Sequence, residues 1–160
     1  MRAFLGGAVI VILTILVGTQ DYNGAGMDVI TRAVSGEARV WDFALKIIFT
    51  AITIAAGFKG GEIVPTLFIG STFGCVLAGV LGLDAGLCAA IGMIAMFCGA
   101  SNCPIASIFL GLEMFGADGL LLFAIACAVS YIVSGYSGLY KSQKIVYSKL
   151  NSNTAEEDVR

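Results

Sequence analysis

Gly60-Gly61-Glu62-Ile63-Val64-Pro65 lies between two apolar stretches, and its reading decides how the rest of the chain is understood. It places two glycines, a carboxylate and a proline where a membrane helix would begin. Proline in a first helical turn forfeits no hydrogen bond, because the first N–H groups of a helix have no intrahelical acceptor. Irregular backbone survives at membrane depth only where it lines a cavity or is buried in protein. A helix starting there points its orphan N–H groups and the positive end of its dipole at that cavity. The arrangement suits an anion.

The flanking sequence is membrane sequence. Of 160 residues, 58% are hydrophobic and 12% charged, about half the roughly 25% charged share of soluble domains. Mean hydropathy is +0.94. A net charge of -2 offers no basic face for nucleic acid. The cysteines Cys75, Cys88, Cys98, Cys103 and Cys127 fall in apolar surroundings without metal-type spacing, and histidine is absent. They read as buried thiols acting as small hydrophobes, and no metal or cofactor is implied. With no nucleophile–base pairing either, an enzyme is the least expected class.

The apolar segments divide at polar or glycine-rich breaks. Ala3–Thr19 follows Arg2 as a signal peptide would, but its uncharged length predicts a retained membrane helix. Gln20–Arg39 is a polar connection with a turn at Asp21–Gly26, and Met27–Val34 has the spacing of a short helix. Val40–Phe58 follows, with Trp41 as an interfacial anchor and Asp42 and Lys46 spaced to pair on one helix face. Pro65–Leu83 carries small residues at Gly70, Gly74, Ala78 and Gly82, a smooth stripe for close helix contact. Asp84–Gly86 reads as a water-exposed turn.

Further helices are expected over Ala85–Gly99, Pro104–Phe115, Leu120–Ser134 and from about Tyr140 to Leu150. Ser101 and Asn102 either line a pathway or cap the next helix, the second being the simpler reading. Glu113 reads as a helix-end carboxylate, with a proton relay as the less favoured role. Asn151–Arg160 is a polar tail. Several segments fall short of the roughly 20 apolar residues a spanning helix needs. Broken helices of this kind mark channels and secondary transporters. Lys141, Lys144 and Lys149 after the last long apolar stretch predict a cytoplasmic C-terminus.

Four stretches in this order resemble the CLC family of chloride channels and anion/proton antiporters. Phe58–Leu67 resembles the third signature, Gly-x-Phe-x-Pro, here Gly61-Glu62-Ile63-Val64-Pro65. Ser101–Ile105 resembles the break before the next helix, Ser107–Met114 that helix with its Leu-Glu-Met ending, and Gly138-Leu139-Tyr140 the Leu-Tyr step before the last helix. The resemblance implies an all-α membrane protein: a bundle of tilted, partly broken helices forming an incomplete CLC-type fold. Residues 1–150 would be the C-terminal part of its transmembrane domain and 151–160 a cytoplasmic tail. The function implied is movement of chloride or another small anion, with protons as a possible second substrate. The bilayer and a second copy of the chain are the implied partners, the latter through Ile105–Leu112 and Leu120–Val133. The plasma membrane is the expected location.

The resemblance also implies an anion site made by Gly61, Glu62, Ile63, Val64, Pro65 and Tyr140. The amides of Glu62 and Ile63 and the Tyr140 hydroxyl would be the donors, neutral groups that hold an anion without trapping it. Two departures stand out. Ile63 replaces the motif phenylalanine, and Glu62 puts a carboxylate where a neutral residue is usual, with Lys59 as a candidate partner. Some fluoride-exporting members resemble this arrangement, which makes fluoride a candidate ion. The two earlier family signatures, which supply a serine-bearing loop and a gating glutamate, have no counterpart in this chain. The chain alone is therefore not expected to conduct. The competing reading is a small multi-span protein with a structural or assembly role, whose glycines only pack helices.

Overall fold

The computed structural model describes residues 2–58, 60–135 and 138–139. Among them the chain is helical: α1 (Arg2–Val17), α2 (Met27–Val34), α3 (Asp42–Ala55), α4 (Ile63–Leu81), α5 (Ala85–Ser101), α6 (Pro104–Phe115) and α7 (Leu120–Val133). The predicted segments coincide with these helices to within a few residues. Tyr140, the helix expected after it and the tail lie outside the described residues.

Among the described residues only α4 is long and apolar enough to cross a bilayer by length and composition. Of the shorter helices, α1, α5, α6 and α7 are also apolar, and many of their large apolar side chains are exposed. In α1 only Gly6 is buried, while Phe4 and Leu16 are 83% and 77% exposed. Such surface is untenable in water and ordinary in lipid or against further protein. Trp41, at the start of α3, is likewise exposed.

The chain forms two compact units, Met1–Met93 and Ile94–Arg160. In the first, glycines set the helix approaches. A Cβ on Gly6 would lie 2.1 Å from the Ala56 Cβ, so α1 crosses the end of α3 with no side chain between them. The small-residue stripe of α4 does what its spacing predicts. A Cβ on Gly74 would lie 2.2 Å from the Cys88 carbonyl oxygen, and one on Gly92 would lie 2.4 Å from that of Gly70. Gly82 ends the stripe differently: it takes φ 69° and closes α4 as a left-handed cap. Around this seam Ala33, Cys75 and Ala89 form a small core with Val34, Ala38 and Ala85.

In the second unit α6 and α7 pack against each other. Gly111 lets the Phe123 ring lie against α6, and Phe115 meets that ring at 6.0 Å between centroids. Ser130 Oγ donates to the Ala95 carbonyl at 2.6 Å, and Cys98 Sγ to that of Cys127 at 3.4 Å.

Two local expectations are corrected and one is extended. Ser101 and Asn102 close α5 rather than cap α6. Asn102 takes φ 55° and its N–H donates to the Cys98 carbonyl, while Ser101 Oγ bonds back to the Phe97 carbonyl. The N-cap of α6 is Cys103, whose side chain makes no cap bond. Cys103 is exposed and Cys88 only half buried, so the thiols are not uniformly core. Cys103 sits in the break between α5 and α6, outside the packed helix faces. Asp84 is exposed between α4 and α5, as expected of the turn, and it also caps α5 by accepting the Leu87 N–H at 2.7 Å.

Candidate functional site

The motif does start a helix. Glu62 is the N-cap of α4, Ile63 its first residue, and Thr66 N–H is the donor that reaches back to the Glu62 carbonyl. The N–H groups of Ile63 and Val64 precede the first intrahelical donor, that of Thr66, and Pro65 has no N–H to offer. Gly60 and Gly61 are exposed, and nothing lies within 4 Å of where their Cβ atoms would be, so a small ligand can approach this backbone.

Beside the motif lies a cavity of about 630 Å³. Gly60, Gly61, Glu62, Val64 and Pro65 form one wall; Lys46, Phe49, Thr50 and Thr53 of α3 and the Tyr22–Ala25 loop form others. Four of the predicted site residues thus share one cavity: Gly61, Glu62, Val64 and Pro65. The Ile63 side chain is 37% exposed and does not line it. Tyr140, the remaining predicted site residue, and Lys59, the expected partner of Glu62, fall outside the described residues. Glu62 is half buried, and no described residue forms an ion pair with it.

Lys46 is the group that sequence reading misplaced. The i, i+4 spacing pairs it with Asp42, yet the two do not form an ion pair. Asp42 Oδ1 accepts the Tyr22 hydroxyl at 2.5 Å and its Oδ2 accepts the Arg39 N–H at 3.0 Å. Lys46 Nζ instead donates to the carbonyls of Tyr22 at 3.1 Å and Gly24 at 2.8 Å, and stands 4.8 Å from the centroid of Phe68. The reason is geometric. The loop before α2 folds over α3 and presents both a phenol and carbonyls, and each charged group takes the complementary partner.

That loop is tethered elsewhere too. Asp21 pairs with Arg32 at 3.1 Å, a surface contact of little energetic weight. Gly26 takes φ 69° and lies so close to Phe68 that a Cβ would meet the ring at 2.7 Å. Tyr22 completes the wall, with ring centroids 5.7 Å from Phe49 and 6.3 Å from Phe68. A signal for Lys46 was present in the sequence: an ionisable residue inside an apolar membrane segment is a functional candidate by default. Among the described residues, His, Cys, Asp and Glu form no group placed to hold a metal ion.

The site therefore combines exposed helix-start amides, an adjacent carboxylate and a buried ammonium around one cavity. Comparison with known proteins gives this geometry a context. The sequence profile described as voltage gated chloride channel matches residues 1–135. A chloride/fluoride channel protein of Pseudomonas syringae pv. tomato is 38% identical, over 98% of this chain and 36% of its own length. An H(+)/Cl(-) exchange transporter, ClcA, of Vibrio parahaemolyticus is 27% identical, over 90% of this chain and 32% of its own length. The crystal structure of a CLC-type fluoride/proton antiporter superposes with TM-score 0.84 and 36% identity, covering 89% of this chain and 36% of that one. The chain thus spans about a third of the length of these relatives, which are channels and transporters rather than enzymes. Its helices, its motif and its relatives agree: the chain belongs to the voltage-gated chloride channel family, an integral-membrane CLC fold of which it forms a part.

Proposed function

We propose that this chain is part of a CLC-type transporter that moves small inorganic anions, fluoride foremost, and that its anion site lies at the start of α4. The observation that carries the reading is the opening of α4 onto a cavity, with bare glycine backbone at Gly60 and Gly61 and the orphan amides of the first turn beside it. Neutral amide donors suit an ion that must enter and leave. Glu62 favours fluoride over chloride as the cargo: of the halides, fluoride is the smallest and the strongest hydrogen-bond acceptor, so it best tolerates a site that also holds a carboxyl group. The names of the 38% and 36% identical relatives support the same choice.

The wider assignment has the same standing. Tyr140 is proposed as a further donor, protons as the coupled ion, and the C-terminus as cytoplasmic in the plasma membrane. A second copy would dock on the apolar outer faces of α6 and α7, where Ile105, Phe109, Leu121 and Val133 are 65–79% exposed. A molecular mass of one subunit for the complete protein in detergent would exclude the dimer.

The deciding experiment reconstitutes the complete subunit in liposomes and follows fluoride and chloride efflux with ion-selective electrodes. Fluoride efflux well above chloride efflux is expected, with Glu62→Gln altering selectivity or proton coupling. Equal rates for the two ions sink the fluoride assignment. Absence of flux for either ion sinks the transport reading.

A further inference from the structure

We propose that Lys46 is the fixed positive charge that draws the anion to the cavity at the start of α4 and sets its affinity there. The inference rests on the transport reading above and adds a determinant of affinity on a different helix from the motif.

Lys46 is 1% exposed, one turn into α3, and is followed in that helix only by apolar residues and threonines. A buried ammonium is costly unless something compensates its charge. Its described partners are neutral: the carbonyls of Tyr22 and Gly24 and the face of Phe68. Dipoles and a ring quadrupole reduce the desolvation cost without cancelling the charge. The nearest carboxylate in sequence, Asp42, is occupied by the Tyr22 hydroxyl and the Arg39 N–H, and no described ion pair includes Lys46. Holding two loop carbonyls requires only a neutral donor; a glutamine would do it with less desolvation. The loop contacts therefore explain the lysine's donors and leave its charge unexplained.

The cavity supplies the explanation. Lys46 lines it together with Glu62 and the glycine backbone of the motif. Lysine carries three donors, of which the two carbonyls take two. An unneutralised positive charge in the wall raises the potential throughout a low-dielectric cavity and concentrates anions in it. It also offsets the Glu62 carboxylate, which would otherwise repel the ion that the neighbouring amides bind. Because the ammonium is held back by the loop, it acts through space rather than as the ion's direct partner. The amides then make the contacts and the ion remains free to leave.

The test uses the complete subunit in detergent, with fluoride affinity measured by calorimetry and thermal stability measured in parallel. Lys46→Gln keeps a donor for the two carbonyls and removes the charge. It is expected to weaken fluoride binding by about tenfold or more, with the melting temperature nearly kept, while Lys46→Arg stays within about threefold. Wild-type affinity in Lys46→Gln overturns the proposal, and so does an equal loss in Lys46→Arg, which would make shape the cause. Asn23→Asp covers the case in which Lys46→Gln does not fold. It adds a negative charge to the same cavity wall, on an exposed residue, without touching the carbonyl partners. It is expected to weaken fluoride binding by about threefold or more, and unchanged affinity overturns the proposal. If the unaltered subunit binds and moves no anion, the transport reading falls and this inference with it. Anion binding that is indifferent to both substitutions overturns this inference alone.

Discussion

The Tyr22 hydroxyl donates to Asp42 Oδ1 at 2.5 Å, joining the loop before α2 to the first turn of α3. Both residues are 3% exposed, so neither can fall back on water when the other is lost. Tyr22→Phe removes the donor and leaves a buried carboxylate with the Arg39 N–H as its remaining described partner. A loss of about 1–3 kcal/mol is expected, the usual cost of stranding a buried polar group. Thermal unfolding of the two forms in the same detergent checks it, and an unchanged melting temperature would remove this contact from the list of supports.

The same phenol predicts alkaline sensitivity. Burial first, and the hydrogen bond and charge of Asp42 next, push its pKa from 10.0 up to about 12. The unfolded chain releases this proton near 10.0 and the folded chain near 12, so the contact is fully stabilising below 10.0 and fades as pH climbs through that window. Subtracting the ultraviolet pH titration of Tyr22→Phe from that of the unaltered protein should reveal one late-ionising phenol. Ionisation near 10 in the folded protein would contradict it.

Gly74 and Gly79 lie on one helix with opposite expectations. An added Cβ at Gly74 meets the Cys88 carbonyl oxygen at 2.2 Å, whereas at Gly79 it meets nothing within 4 Å. Gly74→Ala must push α4 and α5 apart against backbone and should cost at least the about 1–3 kcal/mol typical of overpacking. Gly79→Ala should be neutral or stabilising by up to about 1 kcal/mol through helix propensity. Parallel melting curves test the contrast, and equal effects would refute the close approach.

Ser130 and Gly99 face each other between α7 and α5. A Cβ on Gly99 would lie 2.7 Å from Ser130 Oγ, the same oxygen that donates to Ala95. Ser130→Ala alone should cost about 0.6 kcal/mol, the usual value for an interhelical hydrogen bond in a membrane protein. Gly99→Ala should cost more, and the double substitution less than the sum, because the serine no longer obstructs the new methyl group. Strict additivity in a double-mutant cycle would show that the two do not touch.

The purified 160-residue chain, reconstituted alone, is expected to give no fluoride or chloride efflux above protein-free liposomes. The chain spans only 36% of the Pseudomonas relative, and a single cavity is not a pathway across a bilayer. Efflux from the isolated chain would refute this.

Helix positions were legible because composition punctuates them. Met27–Val34 and Pro104–Phe115 were readable to the residue from apolar spacing, a proline and flanking glycines. The close seam of α4 followed from small residues every fourth position, since only a smooth stripe allows such contact. The start of α4 was readable because two glycines and a proline interrupt the apolar sequence there, as a helix beginning does. What escaped was partner choice. The i, i+4 rule makes Asp42 and Lys46 neighbours, but it cannot see a loop twenty residues upstream that offers each a better bond. Asp84 is legible in principle as a cap, but the exposed turn around it already accounts for its polarity, so the sequence alone does not call for one.

Phe68 is fully buried and touches three elements near the motif: the Lys46 ammonium on its face, the Tyr22 ring at its edge and the Gly26 backbone beside it. It sits a turn and a half into α4, beyond the orphan amides. The ring therefore acts as a pin through α4, α3 and the loop. Twisting α4 about its own axis would shear all three contacts at once, so the mouth of the helix cannot be re-aimed independently of the loop. Any movement that displaces these amides must carry the loop and Lys46 of α3 along as one piece, so the start of α4 and the buried ammonium keep a fixed register.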